Sequence, residues 1–359
     1  MTYTPPTAPR RTSDERRAEI LAAPGFGNHF TDYMAHQRWT VGEGWSSGEV
    51  LPYGPLNIEP ASAVLHYAQE IFEGLKAFRH ADGSVWTFRP DMNALRFQRS
   101  AERLALPPLS TADFIASLEA VVQADEPWVP GGGEKSLYLR PFMFANENFL
   151  GVRASHTVDF YTIASPAGDY FPRGVQPLTV WISPDYARAG RGGTGFAKCG
   201  GNYASSLEGK NSAVGQGADE VMFLDSETHT FIDELSGMNV FVLHSDGRLV
   251  TPQLTGSILP GVTRDSILEL APDHGLTPVE ERIDIHRLAE DIASGEVLEM
   301  FAAGTAAVIN PIGKLASEQG EWTIGDGGSG ETTMALRRIL TDLQYGRIAD
   351  DRGWMHRLV

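Results

Sequence analysis

Residues 220–254 read EVMFLDSETHTFIDELSGMNVFVLHSDGRLVTPQL. Apolar runs alternate with short polar turns in the order strand, turn, strand, turn, strand, turn, strand, and SDG marks a hairpin. A chain containing this stretch needs a sheet with short returns, so it is not a helical bundle. Further strand patterns are LTVWIS, SLYLRPFMFA, HTVDFYTIASPAG and EVLEMFAAGTAAVIN, the last a pair broken at Gly304, and ADG gives a second hairpin in HYAQEIFEGLKAFRHADGSVWTFRP. Helical patterns lie between them. Pro90 opens DMNALRFQRSAERLAL, with Ala94, Leu95, Ala101 and Leu104 expected on one face. ADFIASLEAVVQAD, a segment near 201–214 and ETTMALRRILTDLQYG are others, and TRDSILELAPDHG has Thr263 expected as N-cap and Gly275 as stop. Strands and helices mix without a regular βαβ rhythm, which points to an α+β fold.

The length of 359 residues exceeds what one hydrophobic core usually serves. We expect a flexible N-terminal arm over 1–17, a small domain over 18–167, a Gly- and Pro-rich linker at 168–177 and a large domain over 178–359. A net charge of −17 argues against a nucleic-acid partner, since such partners are held by Lys and Arg. The single Cys leaves no intramolecular disulfide and no Cys-rich metal site, and the ten His show no HExxH-like spacing, so no metal is expected. The beginning of the sequence lacks the apolar core of a signal peptide, and no run has the length and apolarity to span a bilayer. The expectation is a cytoplasmic protein with no membrane partner.

Only five lysines occur: Lys76, Lys135, Lys198, Lys210 and Lys314. Lys198 sits in GRGGTGFAKCGGNYASSLEGKNSA, between two clusters of glycine and beside Cys199. Two readings stand for it: a surface amine on a loose loop, or an amine around which the backbone is shaped, able to form a Schiff base. Glu234, in FIDELSGMNVF, is either an exposed carboxylate at a strand end or an acid facing a protonated ring nitrogen. Gly261, Val262 and Thr263 in ILPGVTRDSIL stand where a helix begins, as an ordinary cap or an anion site. Thr305 in FAAGTAAVI offers a second turn, and Arg96 is either a solvated helix residue or a counter-charge. GRGGTGFAKCGG is not a P-loop, because Cys follows the Lys, and no GxSxG elbow occurs.

FAKCGGNYASS, FIDELSGMNVF, ILPGVTRDSIL and EMFAAGTAA, in that order, resemble the branched-chain amino acid aminotransferases. LHYAQEIFEGLKAFR, FRPDMNALRFQRSAERL and LTDLQYGRI extend the resemblance over nearly the whole chain beyond its arm. The resemblance implies a two-domain fold type IV enzyme using pyridoxal phosphate, with a smaller α/β N-terminal domain and a larger C-terminal domain carrying a mixed, barrel-like sheet. It implies that Lys198 carries the cofactor and moves a proton between Cα and the cofactor's C4′. Tyr203 would bond the cofactor's O3′, and Glu234 would keep its pyridine nitrogen protonated. Arg96, Val262, Thr263 and Thr305 would bind its phosphate, and Arg188 would be a further contact.

The resemblance also implies a substrate pocket of Phe26, Tyr67, Phe72, Tyr138 and Tyr170, whose aromatic walls suit an aliphatic side chain. The turns at Gly237 and Ala306 would hold the α-carboxylate, and Arg140 the distal carboxylate of 2-oxoglutarate or glutamate. Leu150 and Val152 would reach the site of a partner copy, making a homodimer. The implied reaction is reversible transfer of the amino group of leucine, isoleucine or valine to 2-oxoglutarate. Two features depart from the mammalian members. GTAAVIN has no CxxC pair after the turn, and Gly237 stands where those members carry Thr. Cys199 is expected to be a small packing residue. A D-amino acid aminotransferase, an aminodeoxychorismate lyase and a non-catalytic binding protein on the same scaffold are the competing readings.

Overall fold

The computed structural model describes residues 3–9, 11–171 and 174–359, so part of the expected linker lies outside the described residues. In chain order the elements begin with β1 (Tyr3–Thr4), α1 (Asp14–Ala22), β2 (Tyr33–Thr40), β3 (Gly44–Trp45), β4 (Gly48–Pro52), α2 (Ala63–Tyr67) and β5 (Glu70–Phe72). Then come β6 (Leu75–Arg79), β7 (Val85–Phe88), α3 (Pro90–Arg103), α4 (Thr111–Ala124), β8 (Ser136–Ala145), β9 (Thr157–Ala167), β10 (Leu178–Ile182) and α5 (Gly200–Gly215). Next are β11 (Glu220–Leu224), β12 (Ile232–Leu235), β13 (Asn239–His244), β14 (Arg248–Pro252), α6 (Val262–Leu270), β15 (Thr277–Glu281) and α7 (Ile285–Ser294). The chain closes with β16 (Val297–Gly304), β17 (Val308–Ser317), β18 (Gly320–Thr323), α8 (Glu331–Gln344) and β19 (Met355–Arg357).

The residues divide by their contacts into two compact units. The first comprises Met1–Pro172, Ala197–Gly200 and Thr341–Val359; the second comprises Arg173–Phe196 and Gly201–Leu340. The first stretch ends within the expected linker, but two later stretches return to the first unit, which therefore holds more of the chain rather than less. The physical reasons are local. β19 adds to the edge of β7, and Ala197 and Cys199 are buried in the first unit's core.

In the first unit, ten strands form one sheet along the path β1-β4-β2-β9-β8-β6-β7-β19, with β3 on β2 and β5 on β8. All pairs are antiparallel except β1 with β4. The expected arm thus contains a strand: Tyr3 lies on Gly48 and its hydroxyl donates to Gln37 at 2.6 Å. The ADG hairpin joins β6 to β7 through Gly83 at φ 88°. Helix α3 buries Asn93, Ala94, Arg96, Phe97, Ser100 and Ala101. Leu95, expected on that face, is exposed instead, because the buried stripe follows 93, 96/97 and 100/101 at the helical period. Phe97 packs on Phe114 of α4 and Phe160 of β9 with ring centroids 5.4 and 5.6 Å away.

In the second unit, nine strands run β12-β11-β10-β17-β16-β13-β14-β15, with β18 on β17. The sheet is mixed: β10 pairs in parallel with both β11 and β17, and β14 with β15, while the other pairs are antiparallel. The connectivity dictates curvature. β12 and β13 stand five strand spacings apart along the ladder, about 24 Å if the sheet were flat. Only Ser236, Gly237 and Met238 join them, and four Cα steps reach at most about 15 Å. The sheet therefore curls until β12 comes back to β13, where Leu235 N–H donates to Met238 O at 2.9 Å. This is the barrel-like form expected of the second half. No helix of the described residues is long and apolar enough to cross a membrane.

One buried group gives the first unit a pH dependence. Asp125, at the C-terminal end of α4, is fully buried. One of its carboxylate oxygens accepts from Tyr33 N–H at 2.9 Å; the other, Oδ1, has no hydrogen-bond partner. Burial, with the charge of Asp32, pushes its carboxyl from 3.8 up to about 7. The folded state thus binds this proton more tightly than the unfolded chain. That contribution is complete below 3.8 and is lost as pH rises towards 7. We expect the stability advantage of Asp125→Asn, which keeps the acceptor for Tyr33, to grow by about 4 kcal/mol between pH 4 and pH 8. Urea melts at the two pH values check this; an advantage that does not grow with pH would contradict it.

Candidate active site

Lys198 is aimed by its neighbours. Ala197 and Cys199 on either side are buried in the first unit's core, so the side chain between them projects the other way. Cys199 is indeed a packing residue. Lys198 N–H donates to Ser100 Oγ of α3 at 3.0 Å, and Lys198 O accepts from Phe72 N–H of β5 at 2.9 Å. Gly200 N–H donates to the carboxylate of Glu70, also on β5. Within the first unit the lysine backbone is thus held from a helix and a strand. Its amine lies 4.9 Å from the centroid of the Phe72 ring.

Arg96 is not a solvated helix residue. It is buried on α3, with Nε 2.7 Å from Glu73 Oε1 and Nη2 2.8 Å from Oε2. Asn93 Nδ2, one turn earlier on the same helix, donates to Oε2 at 2.8 Å. Burial pushes the Glu73 carboxyl up, but the charge and hydrogen bonds of Arg96, the charge of Lys198 and the Asn93 bond outweigh it and hold the group below the usual carboxylate range.

Three of the five expected pocket aromatics gather around Arg140. Its guanidinium lies 4.8 Å from the Phe72 centroid and 5.3 Å from that of Tyr138, and its Nη2 donates to the Tyr138 hydroxyl at 3.1 Å. Phe26 meets Tyr138 edge-on at 5.1 Å. Arg140 Nε is buried and has no hydrogen-bond partner, which suits a cation awaiting an anionic ligand. Tyr67 donates its hydroxyl to Leu150 O, and Tyr170 meets Phe171 edge-on at 4.8 Å. Leu150 and Val152 are 68% and 88% exposed, unusual for aliphatic side chains.

The second unit carries the remaining residues. Glu234 on β12 is buried, not an exposed strand end. It accepts from Leu259 N–H at 2.9 Å and Asn239 Nδ2 at 3.3 Å, and pairs with Arg188 at 2.9 Å. Arg188 is also directed to the carbonyls of Gly195 and Ser257, at 3.1 and 3.3 Å. Asn239 further donates to Leu259 O at 3.0 Å, which ties the acid to the segment leading into α6. That helix starts two residues earlier than expected, with Gly261 and not Thr263 at its cap. No side chain caps it, leaving Val262 and Thr263 in the first turn. A Cβ at Gly261 would fall 2.1 Å from Asn239 Oδ1, so only glycine permits this approach. Thr305 and Ala306 occupy the turn between β16 and β17. A Cβ built on Gly304 would lie 3.5 Å from Gly237 O, and one on Gly237 4.0 Å from the Tyr203 ring. The two turns and Tyr203 are therefore neighbours.

Glu73, Asn93, Ser100, Glu70 and Asn239 were not singled out in the sequence. The spacing of Asn93 and Arg96, one turn apart, is the signal that a common acceptor faces them. A cavity of about 290 Å³ in the second unit is lined by Arg191, Asp233, Ser257 and Arg282 among others, and none of the expected site residues lines it.

The family model for amino-transferase class IV matches residues 70–315. The branched-chain-amino-acid aminotransferase of Mycolicibacterium smegmatis is 52% identical over 350 residues, covering 96% of this chain and 95% of that protein. The crystal structure of the Escherichia coli branched-chain amino acid aminotransferase matches with a TM-score of 0.74 at 27% identity, over 91% of this chain and 99% of that one. A T.th. branched-chain amino acid aminotransferase complexed with N-(5'-phosphopyridoxyl)-L-glutamate matches with a TM-score of 0.72 at 26% identity, over 90% and 98%. A lysine pinned at its backbone, a buried acid held by an arginine and an uncapped helix start thus sit in a chain whose likeness to these enzymes runs almost end to end, and the chain belongs to the amino-transferase class IV family.

Proposed function

We propose that this protein is a branched-chain-amino-acid aminotransferase, moving the amino group of leucine, isoleucine or valine to 2-oxoglutarate with pyridoxal phosphate as cofactor. One observation carries the reading: the Phe72 ring has the Lys198 amine 4.9 Å from its centroid and the Arg140 guanidinium at 4.8 Å. A reactive amine, an apolar wall and a cation for a second carboxylate share one aromatic side chain. The Mycolicibacterium smegmatis relative and the phosphopyridoxyl-glutamate complex of the T.th. enzyme support the same activity and cofactor.

The residues fit that cofactor. The uncapped start of α6 offers Val262 and Thr263 N–H groups to a phosphate, and its glycine cap has no Cβ to close the approach. Thr305 and Arg96 add a hydroxyl and a charge. Glu234, held in place by Arg188, Asn239 and Leu259, suits a protonated pyridine nitrogen, and Tyr203 suits the ring oxygen. Arg188 serves that acid rather than the cofactor directly. When bound, pyridoxal phosphate supplies the electron sink that makes the Cα–H bond of an amino acid labile. Lys198 is the attachment point and the base that takes the Cα proton. Phe26, Phe72 and Tyr138 accept an aliphatic side chain, with Tyr67 and Tyr170 as further walls, and Arg140 binds the distal carboxylate of glutamate. The turns at Gly237 and Ala306 hold the α-carboxylate. We further propose that the enzyme is cytoplasmic and works as a homodimer, with the exposed Leu150 and Val152 meeting the partner copy.

Three assays test this. With 2-oxoglutarate as acceptor, L-leucine, L-isoleucine and L-valine are expected to react and D-alanine is not; preference for D-alanine would overturn the assignment. Lys198→Ala is expected to lower kcat roughly 10⁴-fold or more. Lys210→Ala, which removes only a partly exposed pair with Glu220, is expected to stay within about twofold. Arg140→Gln is expected to raise KM for 2-oxoglutarate about 10- to 100-fold while changing KM for leucine less than about threefold. Equal losses on both substrates would remove Arg140 from the distal-carboxylate role.

A further inference from the structure

Glu73 has no place in the scheme above, yet its carboxylate accepts four hydrogen bonds. It follows Phe72 in the link between β5 and β6 and is wholly buried. Its carboxylate accepts from Arg96 Nε at 2.7 Å, Arg96 Nη2 at 2.8 Å, Asn93 Nδ2 at 2.8 Å and Gly74 N–H at 3.2 Å. Its own N–H donates to Pro141 O at 2.7 Å, which fixes the backbone beneath it. The two residues beside it are fixed as well. Phe72 N–H holds Lys198 O, and a Cβ on Gly74 would fall 2.0 Å from the Tyr138 hydroxyl. Three consecutive residues thus meet the lysine backbone, the arginine and a pocket aromatic.

Stability alone does not call for such a pair, since apolar residues of similar volume often serve a core as well or better. What the pair does supply is orientation. Two of the five guanidinium N–H groups are bound in a bidentate fork, which sets both the plane and the direction of the side chain. We infer that Glu73 is a positioning residue that fixes the Arg96 guanidinium for the cofactor's phosphate, acting on phosphate affinity and not on the cofactor's ring. The inference rests on the assignment of Arg96 to the phosphate made above. Replacing Glu73 by Gln keeps one acceptor but turns a donor towards donors, since Arg96 and Asn93 both give hydrogens to the same oxygen. The fork cannot keep its present direction.

The test compares two ligands on the full chain freed of cofactor: pyridoxal 5'-phosphate and pyridoxal, each titrated by fluorescence quenching. For the parent protein the phosphate ester is expected to bind much more tightly; failure to bind it would sink the functional reading itself. Glu73→Gln is expected to weaken pyridoxal phosphate about tenfold and leave pyridoxal within about twofold. In an Arg96→Gln background the same change is expected to have no further effect on either ligand. Equal weakening of both ligands, an unchanged or tighter affinity for the phosphate ester, or full additivity with Arg96→Gln would each overturn the inference while leaving the functional reading intact. If Glu73→Gln does not fold, Glu73→Asp decides. It keeps the charge but is one methylene short, so a selective loss for the phosphate ester supports the inference and no selective loss overturns it.

Discussion

A carboxylate taken out of water is costly unless a cation and further donors meet it, and breaking such a pair costs about 3–5 kcal/mol. Each unit of this protein contains one buried Arg–Glu pair next to residues with proposed chemical roles: Arg96 with Glu73 in the first, Arg188 with Glu234 in the second. In both, a neutral amide completes the shell, Asn93 in one and Asn239 in the other. The pairs differ in what they leave to be used. In the first, the arginine is held by the acid; in the second, the acid is held by the arginine. The same physics thus orients a cation in one unit and an acid in the other.

Around these pairs the backbone does the remaining positioning. Lys198 gains its direction from the burial of Ala197 and Cys199 and from bonds to Ser100 and Phe72, so its glycine-rich surroundings do not make it loose. The curl of the second sheet follows from a three-residue link between strands five places apart, and that link contains Gly237. The curl therefore fixes where one of the proposed carboxylate turns stands, and the Tyr203 ring and the Gly304 turn lie against it. Fold and site are in this sense the same constraint in the second unit.

Much of this was legible in the sequence because it depends on local rules. The ADG and SDG hairpins, the helix opened by Pro90 and the strand pair broken at Gly304 follow from turn chemistry and periodicity, and they form as read. Lys198 and Glu234 could be singled out, but only several distant motifs taken together decided between surface and site. What was not legible depends on distant partners. Glu73 lies in an apolar stretch where nothing local distinguishes a buried acid from an exposed one; Arg96 and Asn93, some twenty residues later, decide it. The cap of α6 went to Gly261 rather than Thr263 because Asn239 leaves no room for a Cβ there. Tyr3 joins a sheet edge that no pattern in the first seventeen residues announces. The return of Ala197–Gly200 and the C-terminal strand to the first unit likewise depends on partners distant in sequence, the first unit's core in one case and β7 in the other.

In the proposed reaction, one amine among five lysines carries the chemistry. Reducing the cofactor-loaded protein with borohydride and mapping the modified peptide by mass spectrometry tests it most directly. The expected result is a phosphopyridoxyl label on Lys198 alone. A label on Lys76, Lys135, Lys210 or Lys314 with Lys198 unmodified would contradict it.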